Sequence, residues 1–111
     1  MKKIFTLLAL TITFSMNAQV SENSTSATGT HASAIGNGTT ASGGYSTAMG
    51  NGSTASGIYS TAMGYYTTAS GAVSSAMGYQ STASGQSSTA MGWSTTASDF
   101  ASLVIGQFNS S

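Results

Sequence analysis

The chain repeats itself every seven residues over most of its length. An alanine recurs at this interval from position 27 to position 97, and a glycine follows two positions later in nearly every unit. The residue between them alternates between large and small, as Met49 and Ser56 illustrate. The true repeat is therefore fourteen residues, built from two unlike halves. Such regularity restricts the fold to a stack of similar short units.

A seven-residue spacing is also typical of coiled coils, but these residue types argue against a helix. Nearly every unit contains a glycine, which costs roughly 1 kcal/mol relative to alanine in a helix, together with several serines and threonines. Each half repeat instead offers a five-residue segment of strand length, such as 46–50 or 53–57, followed by two residues that can turn the chain.

We therefore predict an all-β fold, a parallel β-roll or solenoid of fourteen-residue coils. Two strands and two turns form one coil, and successive coils stack about 4.8 Å apart through backbone hydrogen bonds. The segment 26–106 has room for just under six coils.

Side chains alternate between the two faces of a strand, which separates small from large residues here. Ser46, Ala48 and Gly50 share one face, and Thr47 and Met49 share the other. The small set recurs in both halves and suits the inside of a thin coil. The outer faces then differ, because one carries Thr and Ser and the other carries an apolar column. This column comprises Ile35, Met49, Met63, Met77, Met91 and Ile105.

The apolar column predicts an interface between copies of the chain. A covered Met or Ile side chain contributes about 1.5–3 kcal/mol, whereas an uncovered row is an exposed patch of the kind that marks interaction sites. An alternative stays open at this point. The large residues could fill each coil from within and leave Ala and Gly outside.

Aromatic residues recur at the turns. Tyr65, Tyr79 and Trp93 occupy equivalent positions at one edge, and Tyr45 and Tyr59 do so at the other. We expect each set to stack, and either to contact a ligand or simply to protect the turns.

The last coil departs from the repeat. Asp99 replaces a glycine, and 103–105 reads Leu-Val-Ile where other coils read Thr-Ala-Met. The added apolar bulk predicts a cap or a junction with another domain.

The first eighteen residues have the features of a signal peptide. Lys2 and Lys3 precede a mostly apolar run at 4–14, which is shorter than the roughly 20 residues of a membrane span. We predict export, with a short leader at 19–25. The mature chain then keeps Glu22, Asp99 and His31 but no Lys or Arg, so it lacks the basic surface that nucleic-acid binding requires.

No catalytic, cofactor or metal site is expected. The chain has no cysteine, and His31 and Asp99 lie five predicted coils apart, more than about 20 Å at the stacking distance. Acid–base catalysis and metal binding both need such groups to converge. His31 is expected to be an exposed leader residue, and the chain is not predicted to be an enzyme.

The repeats are similar to those of a known family. They read Ser33-Ala34-Ile35-Gly36, Ser46-Thr47-Ala48-Met49-Gly50 and Leu103-Val104-Ile105-Gly106, each paired with a Thr/Ser-Ala-Ser-Gly segment. They resemble the YadA-like, haemagglutinin-type head repeats of bacterial trimeric autotransporter adhesins, over 26–108 with a tail at 109–111. The resemblance implies a left-handed β-roll, a homotrimer, a place on the Gram-negative outer membrane or in the medium, and attachment to a host protein, matrix or glycan ligand.

The sequence shows neither the coiled-coil stalk nor the membrane-anchoring β-barrel of that family, so we expect a fragment, a truncated product or a freely secreted head. Two other functions remain open. The Thr and Ser columns are typical of an ice-binding β-solenoid, and a plain spacer in a surface fibre would need no ligand.

Overall fold

The computed structural model describes residues 24–111, in which five-residue strands alternate with two-residue strands. The long strands are β2 (Ser33–Asn37), β4 (Thr47–Asn51), β6 (Thr61–Tyr65), β8 (Ser75–Tyr79), β10 (Thr89–Trp93) and β12 (Leu103–Gln107). The short strands are β1 (Ser26–Ala27), β3 (Thr40–Ala41), β5 (Thr54–Ala55), β7 (Thr68–Ala69), β9 (Thr82–Ala83) and β11 (Thr96–Ala97). The predicted signal peptide at 1–18 and most of the leader at 19–25 lie outside the described residues.

The strands form two parallel sheets that face each other across the coil. One six-stranded sheet contains the long strands in chain order and the other contains the short strands in chain order. Each residue pairs with the residue fourteen positions later, so Ala48 lies beside Ala62 and Met49 beside Met63. The prediction of an all-β parallel solenoid with fourteen-residue coils, about six in number, is confirmed.

The core consists almost entirely of alanine. The fully buried apolar residues are Ala34, Ala41, Ala48, Ala55, Ala62, Ala69, Ala76, Ala83, Ala90 and Ala97, with Val104 nearly so in the last coil. The methionines are only half-buried, and Ile35 and Ile105 are 36% and 60% exposed. The alternative in which the large residues fill the coil is therefore wrong. The strand alternation places Ala48 inward and Met49 outward, and the largest fully buried side chains are threonines.

Hydroxyl groups complete the interior. Thr67 donates a hydrogen bond from Oγ1 to Ser53 Oγ at 2.9 Å, and Ser53 donates to the Gly64 carbonyl oxygen at 3.0 Å. The same chain of bonds recurs 28 residues later, from Thr95 to Ser81 to Gly92. Since a buried hydroxyl without a partner costs free energy, these bonds stabilise the narrow polar interior. Thr39 Oγ1 and the Oγ atoms of Ser60, Ser74 and Ser88 are buried as well but have no hydrogen-bond partner among the described residues.

The glycine of the long strand does not lie where the alternation predicts. Gly50 was expected on the inner face with Ser46 and Ala48, but it is exposed. Its φ of 111° takes it out of the extended conformation, so the alternation ends at Met49. At the equivalent Gly64, with φ 128°, a Cβ atom would overlap the Gly78 carbonyl oxygen of the next coil. Glycine is needed here for both conformation and close approach.

The second strand of each coil is shorter than predicted. The segment 53–57 was expected to form a five-residue strand, but only Thr54 and Ala55 do so. The amides of Ser56 and Gly57 both donate to the Ala69 carbonyl, at 3.0 and 3.2 Å. Sharing one acceptor bends the chain at the point where a regular ladder would continue, and the turn begins two residues early.

The turns stack as regularly as the strands. The second residue of each two-residue turn has a positive φ, for example 57° at Val73 and 52° at Tyr66. Its amide donates to the preceding coil, as from Tyr59 to the Gly44 carbonyl at 2.8 Å. The Asn-Gly dipeptides at 37–38 and 51–52 fit this geometry, since Gly38 and Gly52 have φ values of 63° and 66°.

The three residues predicted to form a tail continue the repeat. Ser110 pairs in parallel with Thr96, and the Asn109 side chain donates from Nδ2 to the Ile105 carbonyl at 2.7 Å. Ser111 donates its amide to the Thr96 carbonyl. These bonds extend the short-strand sheet by one further rung.

Candidate functional site

The apolar column predicted from the sequence runs straight along the outer face of the long-strand sheet. The parallel register places each member directly beside the next, from Ile35 against Met49 to Met91 against Ile105. The four methionines between them cover one another in part and stay half-buried in the single chain. The column is therefore a continuous apolar surface that an isolated chain leaves open to water.

The outer face of the short-strand sheet carries hydroxyl groups instead. Its threonines are half-buried and its serines are exposed. The threonines are Thr40, Thr54, Thr68, Thr82 and Thr96, and the serines are Ser42, Ser56, Ser70, Ser84 and Ser98. The two broad faces of the solenoid thus differ in chemistry although they enclose the same alanine core.

Aromatic rings stack along the turns that follow the short strands. We call His31, Tyr45 and Tyr59 the amino-terminal ladder. The His31 and Tyr45 ring centroids lie 5.0 Å apart with an interplanar angle of 11°, and those of Tyr45 and Tyr59 lie 5.1 Å apart at 13°. His31 is exposed, as expected, but it is the first member of this ladder. Its position fourteen residues before Tyr45 is the signal that the sequence reasoning missed.

A second ladder lies on the opposite edge, along the turns that follow the long strands. We call Tyr65, Tyr79, Trp93 and Phe108 the carboxy-terminal ladder. Tyr65 and Tyr79 are stacked at 5.0 Å and 8°, whereas Trp93 is tilted by 59° from Tyr79 and Phe108 by 44° from Trp93. Tyr66 contacts Tyr65 edge-on at 4.7 Å.

The three aromatic residues singled out at this edge, Tyr65, Tyr79 and Trp93, do lie together. Phe108 escaped the sequence reasoning because it occupies the second turn position, whereas Trp93 occupies the first. Its ring nevertheless reaches Trp93, with centroids 6.1 Å apart.

Within 24–111 the structure brings no three His, Cys, Asp or Glu side chains together in a way that could hold a metal ion. His31 lies in the turn before β2, and Asp99 lies between β11 and β12. None of the described residues belongs to a helix that is long and apolar enough to span a membrane.

The fold and its surfaces define a class of repeat protein. Backbone ladders and small residues build the scaffold, and the variable residues lie on the turns and outer faces. A family model described as "YadA head domain repeat (2 copies)" matches residues 27–53, 55–81, 69–95 and 83–108. The chain belongs to this YadA head repeat family, in agreement with the resemblance seen in the sequence. No curated protein and no solved structure matches the chain.

Membership suggests an adhesin-type surface function. The family is a structural adhesin domain of surface-exposed trimeric autotransporter adhesins, and it is not an enzyme family. The family match covers the solenoid and assigns no role to particular surface residues.

Proposed function

We propose that the chain is the head of an exported adhesin that acts as a homotrimer at the cell surface, at the outer membrane or in the medium. It attaches to a host, matrix or other surface ligand without catalysis. The observation that carries this proposal is the match to the YadA head repeat over nearly the whole solenoid. The left-handed winding that the family resemblance implies belongs to the same proposal.

The apolar column supports the homotrimer. Apart from Val104 in the last coil, the described interior offers alanine methyl groups and hydroxyls, so each coil gains little from apolar burial within one chain. Fully burying an exposed methionine contributes about 1.5–3 kcal/mol, so covering the open half of one contributes roughly half of that, and the column has six large members. Small domains without disulfides commonly gain stability through association. Because the column is straight and repeats with each coil, equivalent columns of sister chains can pack along its full length.

The mass of the purified full chain in solution tests this assembly. Sedimentation equilibrium is expected to give three times the chain mass, with a β-sheet circular dichroism spectrum. A folded and stable monomer contradicts the proposed assembly, because it would show that the apolar column needs no cover.

Attachment is tested separately on surfaces coated with collagen, fibronectin and glycans. Retention of the trimer on at least one surface supports the adhesin proposal. A well-folded trimer that binds none of them supports a spacer function, in which the head only holds other domains away from the cell.

The hydroxyl face of the short-strand sheet favours a second candidate, an ice-binding solenoid. Its Thr column keeps one register from Thr40 to Thr96, as a lattice-like surface requires, and the exposed serines follow at the same spacing. Thermal hysteresis of the purified chain separates the candidates. An adhesin head is expected to show none, whereas hysteresis that disappears in a Thr54→Tyr and Thr68→Tyr double variant supports ice binding.

A further inference from the structure

The rings of the carboxy-terminal ladder are stacked at its Tyr65 end and tilted at its Phe108 end. Tyr65 and Tyr79 are stacked almost parallel, so each covers a face of the other and mainly their edges remain open. The tilts of 59° and 44° separate the planes of Trp93 and Phe108 from their neighbours. Their exposed fractions are 51% and 68%, against 41% for Tyr79. Within the ladder, the ring faces least covered by a neighbour therefore lie at Trp93 and Phe108, whereas Tyr66, which is 54% exposed, lies edge-on beside the stack.

Uncharged hydrogen-bonding residues occupy the same row of turns as these rings. The same row of turns carries Gln80, Ser94 and Gln107, all exposed or half-buried. Their amides and hydroxyl can both donate and accept hydrogen bonds. Ring faces flanked by such groups offer apolar and polar contacts within one turn of the coil.

The charge of the surface restricts the ligand. Between His31 and Asp99 the sequence contains no Asp, Glu, Lys or Arg, and both of these residues lie on the turns of the opposite edge. An acidic or basic partner would find no opposite charge here to steer its approach or to form ion pairs. A fitting ligand is neutral, rich in hydroxyl groups, and able to lay C–H groups on an aromatic face.

From this arrangement we propose that the Trp93–Phe108 end of the ladder binds a neutral polysaccharide. A sugar ring packs its C–H face on the indole of Trp93 and on Phe108, and its hydroxyls exchange hydrogen bonds with Ser94 and Gln107. The proposal rests on the proposed adhesin function and names a ligand class for it. Tyr79 packs against the indole and Tyr65 packs against Tyr79, so these two rings support Trp93 and contribute little direct contact to the sugar.

Trp93 is the single tryptophan of the chain, so its fluorescence reports directly on this site. The full chain is titrated with cellohexaose, maltoheptaose and N-acetylchitohexaose, and separately with a (Pro-Pro-Gly)10 peptide. We expect at least one neutral glycan to shift or quench the emission in a saturable way at concentrations where the peptide has no effect.

Single-residue variants test whether Trp93 and Phe108 contact the glycan. Affinity electrophoresis in gels containing the responding glycan or its parent polymer is expected to show about two- to tenfold weaker binding for Trp93→Ala and for Phe108→Ala, the loss typical of one aromatic contact. Trp93→Phe should retain most of the binding. The matched control is Tyr45→Ala with Tyr59→Ala on the amino-terminal ladder, which should bind as the parent does. Circular dichroism confirms that each variant is folded.

Three results overturn the inference. They are binding of the proline-rich peptide in preference to every glycan, equal loss of glycan binding in the amino-terminal control, and no glycan binding by the folded parent chain. A trimer that attaches to collagen or fibronectin but binds no glycan refutes this site and leaves the proposed adhesin function standing.

Discussion

The two sheets of the solenoid share one core but differ in length and in their outer surfaces. The long-strand sheet has five-residue strands and the apolar column, whereas the short-strand sheet has two-residue strands and the hydroxyl face. Both bury alanines of the same kind, such as Ala62 and Ala69, completely. The interior therefore holds the coils in a stack and does not distinguish the two sides of the molecule. What distinguishes one side of the molecule from the other is decided by outward residues alone.

The glycine columns give the strongest test of that shared scaffold. A Cβ atom would overlap the next coil's carbonyl at Gly64 in the long-strand sheet and at Gly71 at the end of the short strand. We expect Gly64→Ala and Gly71→Ala each to lose about 4 kcal/mol or more of the free energy of unfolding, with Gly64→Ala worse because its φ is also positive. Urea denaturation followed by circular dichroism measures both. Gly38→Ala, where the nearest atom is 4.0 Å from the added Cβ, is the control and should cost only about 1–2 kcal/mol.

The outer faces should differ most in association. The double variant Met63→Ser and Met77→Ser is expected to weaken the proposed trimer by about 1.5–3 kcal/mol per chain, because it removes two side chains whose exposed half the interface would cover. Ser70→Ala with Ser84→Ala, in the matching coils of the other sheet, should leave association unchanged. Sedimentation equilibrium across a concentration series measures both. An equal loss in the two double variants would show that the apolar column is not the interface.

Removing a hydrogen bond between hydroxyl groups inside the coil should lower the free energy of unfolding by a smaller amount. These bonds connect the two sheets. Thr67→Val removes the donor to Ser53, whose hydroxyl bonds the Gly64 carbonyl of the long strand. The variant keeps the shape of the side chain, so we expect a loss of about 1 kcal/mol in the free energy of unfolding. Thr68→Val, the outward neighbour, should change it by less than about 0.5 kcal/mol. Chemical denaturation that ranks the two in the opposite order would show that the interior bonds are unimportant.

A substitution in the turns after the short strands should change the stability least, and we expect it to increase the stability. Val73 is β-branched and has a φ of 57°, a conformation that such residues rarely adopt. Val73→Gly removes this strain but also frees the unfolded chain, so a net gain of about 0.5 kcal/mol is expected. A higher thermal midpoint would confirm it. A lower midpoint for Val73→Gly would instead show that the valine side chain stabilises the stack through packing.

The repeat length and the buried alanines could be predicted from the sequence, because both depend on the spacing and the size of side chains within a few neighbouring residues. Ala48 and Met49 alternate in the sequence and lie on opposite faces in the structure. The exposure of Gly50 could not be predicted in this way, since its positive φ follows from the next coil's backbone.

The short second strand and the tilted rings could not be predicted for the same reason, because contacts between neighbouring coils determine both. Ser56 and Gly57 share one acceptor that lies thirteen and twelve residues ahead. Trp93 was expected in its ladder, yet its tilt, and hence the open ring face, depends on how a larger ring fits above Tyr79. The roles of the apolar column and of the ladder stay predictions.

The alternation of Thr and Ser inside the coils has a consequence for how such a head can change in length. The interior column reads Thr39, Ser53, Thr67, Ser81 and Thr95, and its bonds join a Thr to the Ser one coil before. Deleting one coil would set two like residues side by side, whereas deleting or duplicating 28 residues would keep every pair matched. Growth and shortening of the gene in steps of two coils would therefore preserve the protein's interior, and the height of the head could vary without any new packing solution.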